Sequence, residues 1–392
     1  MSLIAPDNMW GMYAAISSAA AAGMALERTK VGSALSGAVC SMLIASLLCN
    51  AGVIPPTGSP HTAALQIFAV KLATPLLLLG ADLRKVLRET GKLLGVFLLA
   101  AAGTALGATV ATLLLRQQLA AVEGGWRVLA ALAAKNIGGG LNFVAAAELL
   151  HVPSAVCVTA LAVDNLLGLL YFPLVGWLGR NEPREPDPAV AAVAVDDGAL
   201  PPGKAQDPPQ DPLQASSSAL ALGFCLVAAS EALAARFLPD GGTLISTALA
   251  VTLATAAPGA LAPLVPPAER FGRQLLFLFF ASVGASAGTV GAAARAAGAA
   301  PLLLFGAVMY AVHLAVAVGL GARAAGLREA LVASNAAVGN AATASAMAAG
   351  KGWHSLALPA LLVGTLGNAI GTAAGVALGA LVLQPILASA GL

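Results

Sequence analysis

Four ionisable residues of this 392-residue chain stand inside long apolar runs: Lys71, Lys135, Asp164 and Glu231. A charge at the centre of a membrane-spanning segment costs roughly 2.5–3.5 kcal/mol on insertion scales, so each needs a partner or a wet cavity. Lys135 is the natural ion-pair partner for Asp164 in the next apolar run, and such a pair can bind a coupling proton or cation by exchanging the lysine for it. The plainer alternative is a permanent bridge that only locks two helices. Lys71 precedes Pro75 by four residues and either faces a pathway, snorkels or bridges. Glu231 lies near a span end and close to Arg236, which reads as a surface pair. His151 and His354 begin spans and read as interfacial, and His313, alone in an apolar span, reads as a satisfied packing residue.

The second of these charges opens the segment Lys135-Asn136-Ile137-Gly138-Gly139-Gly140-Leu141-Asn142. Each glycine costs about 1 kcal/mol of helix propensity relative to alanine, and unwound backbone at membrane depth survives only where protein or water satisfies it. A broken helix is therefore expected here. The run Ala131-Leu132-Ala133-Ala134-Lys135-Asn136, with Gly140, recurs 199 residues later as Ala330-Leu331-Val332-Ala333-Ser334-Asn335, with Gly339, and Asn340 and Thr343 follow. His151, Asn165 and Gly168 recur 203 residues later as His354, Asn368 and Gly371. Matched blocks in the same order point to an internal repeat, and paired broken helices point to a midplane binding site. The candidate site comprises Lys135, Asn136, Gly138, Gly139, Gly140, Asn142, Asp164 and Asn165 from the first half, with Asn335, Gly339, Asn340, Thr343 and Asn368 from the second. Asp164 has no counterpart, since Gly367 holds its position, so an ion site built on it is single.

The elements that must position these residues follow from composition. With 59% hydrophobic residues, 10% charged ones and a mean hydropathy of +0.87, the chain reads as an integral membrane protein. Lys plus Arg (20) nearly balance Asp plus Glu (18), which excludes the basic face that nucleic acid requires. Runs near 20 apolar residues fall at 9–26, 31–54, 62–81, 92–115, 126–150 and 153–179, then at 218–238, 243–264, 271–288, 299–322, 329–350 and 355–385. Residues 181–217, rich in Pro and Asp, read as a flexible linker between repeats at 1–180 and 218–392. Arg28, Lys30, Arg84, Lys85, Arg88 and Lys92 mark the loops after spans one and three as cytoplasmic, whereas Arg270 with Arg273 and Arg323 with Arg328 give the second half the opposite parity. Opposite parity is the mark of inverted repeats, yet six crossings per half would leave the halves parallel, so one apolar segment should fail to cross. The expected fold is an all-α polytopic membrane protein of about 11–12 transmembrane helices in two inverted repeats with a broken helix in each.

Enzyme chemistry finds little support. Gly284-Ala285-Ser286-Ala287-Gly288 fits GxSxG, but it ends an apolar helix where a nucleophile elbow needs a strand-to-helix turn. Neither a second buried aspartate nor an HExxH motif is present. Cys40, Cys49, Cys157 and Cys225 read as small buried packing residues without metal or disulfide spacing. Met1–Asn8 carries no basic residue and does not look like a signal or transit peptide.

The runs Trp126–Ala145, Ala162-Val163-Asp164-Asn165, Ala333–Ala344 and Ala348–Trp353 resemble the YjcL-like membrane proteins, domain of unknown function 819, over nearly the whole chain. More distantly, the chain is similar to the bile-acid/sodium symporter, sodium/glutamate symporter and cation/proton antiporter assemblage. The resemblance implies a bacterial cytoplasmic membrane or a plastid envelope or thylakoid membrane. It also implies inverted repeats whose broken helices meet at the membrane centre, with 126–179 and 329–385 in a core domain. The function expected is secondary active transport of a small solute, an organic anion or other metabolite, coupled to sodium or protons. A cation/proton antiporter using Asp164, or a non-transporting membrane scaffold, are the alternatives. No cofactor is expected beyond a sodium ion or proton. The partners are the solute, the lipid bilayer and, compatibly, a second copy of the chain.

Overall fold

The computed structural model describes residues 2–29, 37–55, 59–186, 212–238, 241–286 and 298–389. Among them the regular structure is helical, with fourteen helices of ten residues or more. In the first half these are α1 (Met9–Leu26), α2 (Gly37–Asn50), α3 (Pro60–Leu78), α4 (Lys92–Leu114), α5 (Trp126–Gly138), α6 (Gly140–Leu149) and α7 (Ser154–Leu178). The second half has α8 (Pro212–Phe237), α9 (Gly242–Ala256), α10 (Val265–Ser286), α11 (Ala299–Gly319), α12 (Leu327–Val338), α13 (Ala341–Gly350) and α14 (His354–Leu378). Seven helical stretches are long and apolar enough to cross a membrane, among them α1, α3, α4, α7 and α8. Helix α8 begins at Pro212, inside the segment read as linker, because Pro at the first turn is no obstacle to a helix and an apolar run follows. The rest of that linker from Asp187 to Asp211 lies outside the described residues, as do Lys30, Ala287 and Gly288.

Two interruptions set the architecture. Gly139, between α5 and α6, has φ 100° and ψ −174°, a backbone region that glycine enters and other residues avoid. The chain reverses there. Gly124, just before α5, packs against Pro153 and Val152, just after α6, at 3.4 and 4.0 Å from where a side chain would stand. Helices α5 and α6 therefore form a hairpin with both feet at one end. In the second half Gly339 (φ −88°, ψ −101°) and the extended Asn340 separate α12 from α13. The Asn340 side chain accepts the Thr343 amide, and Thr343 bonds back to the Asn340 amide, a capping box that starts α13. Leu331 of α12 and Trp353 beyond α13 both pack over Gly179, at 2.9 and 2.8 Å from a methyl placed there. This second pair is also a hairpin. The runs 126–150 and 329–350, read from sequence as crossings with a break, thus turn back instead.

The tips of the hairpins meet, since a methyl on Gly139 would stand 3.2 Å from the Gly339 carbonyl oxygen. Small residues permit this closeness. A methyl on Gly367 of α14 would lie 2.8 Å from Ile137 O, and one on Gly371 would lie 3.0 Å from Ala134 O, so α14 runs hard against α5. Helices α3 and α10 pack antiparallel, with Gly80 beside Val265 and Gly272 against Leu77. Helices α4 and α11 do the same, with Gly103 beside Val316 and Gly107 against Met309. Cys40, Cys49 and Cys157 are buried, but Cys225 is exposed on α8, a correction to its reading as a packing residue. Glu231 also departs from its expected partner: it pairs with Lys71 at 2.9 Å, while Arg236 lies over the Phe237 ring. Only the packing of α8 on α3 brings those two charges together.

Both feet of the second hairpin are tied to one carboxylate beyond α7. Glu185 accepts the Ser355 amide (2.7 Å) and hydroxyl (2.6 Å), pairs with Arg328 at the start of α12 (3.2 Å), and donates its own amide to Gly352 O (2.8 Å). The Ser355 bonds, with the Arg328 and His354 charges, hold its carboxyl below the usual 4.5. Since the folded value lies below the unfolded one, the clamp stabilises fully above about pH 4.5 and is lost as pH falls through the lowered value. Glu185→Gln should therefore lose about 1–2 kcal/mol near neutral pH. Its thermal midpoint in detergent should then fall less steeply than wild type between about pH 5 and 3. Parallel acid profiles for the two proteins would show that Glu185 does not clamp the hairpin.

Candidate functional site

Asp164, near the middle of α7, is 3% exposed and is surrounded by donors. The Lys135 ammonium from the last turns of α5 pairs with Oδ2. The Asn136 amide nitrogen (2.9 Å) and the Tyr310 hydroxyl of α11 (3.0 Å) both donate to Oδ1. A buried carboxylate with these partners has its charge compensated and its lone pairs occupied. The Asn136 amide nitrogen also donates to Leu132 O at 2.9 Å, so its orientation is fixed, and its Oδ1 is buried without a hydrogen-bond partner among the described residues. An unpaired buried carbonyl costs about 1–3 kcal/mol.

Beside the pair lies a cavity of about 490 Å³. Lys135, Gly140, Asp164 and Asn165 line it from the first half, and Gly339, Asn340, Thr343 and Tyr310 line it from the second. Phe172 and Phe280 supply an aromatic wall, and the cavity extends to Glu27 at the end of α1 and Val39 in α2. Three charged groups therefore face it, Glu27, Asp164 and Lys135, with a formal sum of −1. The lysine is already paired, so no uncommitted cation is among these described lining groups.

Seven of the sequence-derived site residues thus meet at the cavity, and the others serve its walls. Asn142 turns away: its Oδ1 accepts the Thr372 amide (2.9 Å) and hydroxyl (2.8 Å), which fixes α6 to α14. Gly138 abuts the Gly367 carbonyl, and Gly139 forms the tip. Asn335 accepts the Thr343 hydroxyl at 2.8 Å and donates to Met347 Sδ, holding the two arms of the second hairpin. Asn368 is half-buried, its Oδ1 3.6 Å from a methyl on Gly139. Gly367 stands where a second acid would be because α14 touches the hairpin tip there, leaving no room for a side chain. Sequence reasoning missed Tyr310, Thr104 and Tyr171, hydroxyls in apolar helices with no spacing to set them apart, and the role of Ser334, which the repeat aligns with Lys135 but does not mark as a partner of His313. It also missed the network role of His313.

The asparagines divide by what they touch. Asn142→Ala should lower stability by about 1–3 kcal/mol by leaving buried Thr372 donors without their acceptor. Asn165→Ala, half-buried and facing the cavity, should leave stability within about 0.5 kcal/mol. Chemical or thermal unfolding in detergent checks both, and equal losses would contradict the division.

The family model described as "Protein of unknown function (DUF819)" matches residues 14–384. A relative in Bacillus subtilis (strain 168), "Uncharacterized membrane protein YjcL", is 32% identical over 398 aligned residues, covering 96% of this chain and 98% of the relative. With the apolar helices and the near-complete match, the chain is a membrane protein and belongs to the DUF819 family.

Proposed function

We propose that the protein is a secondary active transporter that carries a small solute by alternating access, coupled to sodium or protons. The observation that supports this most is the buried Lys135–Asp164 pair opening onto a cavity between two hairpin tips. A pair that only locked two helices would gain nothing from a cavity beside it. The unpartnered Asn136 Oδ1 adjoining the carboxylate favours a cation as the coupling species, since an amide oxygen can ligate a metal ion but does not take up a proton at physiological pH. The formal charge of −1 on the lining disfavours an organic anion arriving alone and favours one that enters with a cation. A cation/proton antiporter centred on Asp164 is the second reading, favoured by the same ion pair, which a proton or cation can replace.

The antiparallel packing of α3 on α10 and α4 on α11, the corresponding helices of the two halves, supports repeats of inverted orientation. In this reading each half has five crossings and one re-entrant hairpin, and the hairpins enter from opposite faces. Five crossings per half reconcile the loop charges with inversion, as six do not. The loops carrying Arg28, Arg84 and Arg270 then share the cytoplasmic face. Single cysteines replacing Gly124 and Val152 in a background without native cysteines should react with an impermeant reagent from one side. Those replacing Arg328 and Ser355 should react from the other. Reaction of Gly124 and Val152 variants from opposite sides would refute the hairpin, and reaction of all four from one side would refute the inversion.

Purified protein should be stabilised against heat by sodium over choline, or by a change of pH, in proportion to site occupancy. Asp164→Asn keeps the shape of the side chain but cannot ionise. The variant should fold and should lose the ion dependence of both the thermal shift and solute uptake into proteoliposomes at least tenfold, about 1.4 kcal/mol. Unchanged ion dependence would make the pair structural, and no ion or solute effect in the wild type would favour a scaffold.

A further inference from the structure

Helix α5 stops at Gly138, so Asn136 C=O lacks the amide four residues on that would complete the helix. Thr104 of α4 takes that place, its hydroxyl donating to Asn136 O at 2.8 Å. Thr104 Oγ1 also lies 2.8 Å from His313 Nδ1, and His313 Nε2 lies 3.1 Å from Ser334 Oγ of α12. Ser334 in turn bonds the Tyr171 hydroxyl of α7. Thr104, His313 and Ser334 are each 0% exposed, so every bond in this chain matters.

Ala100 O lies 3.4 Å from Thr104 Oγ1, farther than Asn136 O at 2.8 Å, and one polarity pairs every member at the shorter distances. The Thr104 proton goes to the Asn136 carbonyl, so Thr104 oxygen must accept from Nδ1–H. The imidazole is then neutral with Nε2 as acceptor. Ser334 donates to Nε2, and Tyr171 donates to Ser334. The reverse polarity would leave Asn136 C=O without the Thr104 donor and leave either the Ser334 or the Tyr171 proton without an acceptor along the chain.

We propose that His313, neutral and protonated on Nδ1, is the positioning residue that fixes the two hairpins relative to each other, holding α5 through Thr104 and α12 through Ser334. Through α5 it sets the backbone of Asn136, whose side chain donates to Asp164. The geometry makes one ring hold both sides of the site. It deepens the transport reading by assigning the site a pH-sensitive support, because an imidazolium has no acceptor left for the Ser334 hydroxyl. The groups facing the ring are Thr104 from α4, Ser334 from α12, the Tyr171 phenol from α7 and, on its own helix, Tyr310, which leads to Asp164 and its partner Lys135.

The test needs no transport, so its outcome is separable from that of the transport reading. Nitrogen-15 NMR of histidine-labelled protein, with His313 assigned by the signal that His313→Gln removes, should show the proton on Nδ1 at neutral pH. Hydrogen–deuterium exchange then reads the two hairpins apart. Asparagine in place of His313 reaches only Thr104, and glutamine reaches only Ser334. His313→Asn should therefore speed exchange about tenfold or more in α12 and spare α5, and His313→Gln should do the converse. Thr104→Val, a smaller change, should loosen α5 and spare α12. In a Glu185→Gln background, which removes the acid response of the clamp at the foot of α12, acidification through the His313 titration should loosen α12, and adding His313→Gln should abolish that loosening. A proton on Nε2, equal loosening of both hairpins by each variant, or an identical acid response with and without His313→Gln in that background would overturn the proposal.

Discussion

A helix that stops inside an apolar layer leaves carbonyls and amides that must find partners there, and most of this structure answers that requirement. At Gly139 the chain reverses, and Asn136 C=O is completed by the Thr104 hydroxyl. At Gly339 and Asn340 the new helix is capped by the Asn340 side chain, with Thr343 closing the box and bonding Asn335 across the hairpin. The polar residues that sequence alone marks as a binding site are therefore largely consumed in making two chain reversals possible. What still faces the cavity is the Lys135–Asp164 pair and Asn165, whose amide nitrogen bonds Leu161 O in its own helix, and the one buried side-chain oxygen among them and their direct partners without a hydrogen bond in the described residues is Oδ1 of Asn136.

Charge placement follows the same economy. The buried acid is not left to its lysine alone, since Asn136 and Tyr310 also donate to it, and desolvated ion pairs become tolerable when their remaining lone pairs are bonded. Lys135 comes from the first hairpin, Asp164 from α7 and Tyr310 from α11. The site therefore joins two neighbouring elements of the first half to one of the second, and a change in their packing alters the environment of the carboxylate directly.

Glycine and alanine supply the closeness this requires. The contacts of Gly367 with Ile137, of Gly371 with Ala134 and of Gly139 with Gly339 are backbone approaches that a side chain would prevent. In a membrane, where burying apolar surface between helices gives little driving force, such van der Waals seams and the hydrogen bonds across them hold helices together. Asp164 has room because Gly168 and Asn165 face the cavity beside it, and its repeat-mate Gly367 does not.

Apolar run lengths and composition were enough to establish a helical membrane protein. Three successive glycines marked the place of the first reversal, because their propensity cost is local. The Lys135–Asp164 partnership was also legible, since two opposite charges in neighbouring apolar runs have few other partners to find. What the sequence could not decide was direction: a glycine break looks the same whether the next helix continues or turns back, and the difference lies in a left-handed backbone angle and in the contact of Gly124 with Pro153. Nor could it assign Asn142 to the wall rather than the cavity, or gather Thr104, Tyr171, Tyr310, His313 and Ser334 into one network. These depend on rotation about helix axes and on contacts more than one hundred residues apart in several cases, which only tertiary packing fixes.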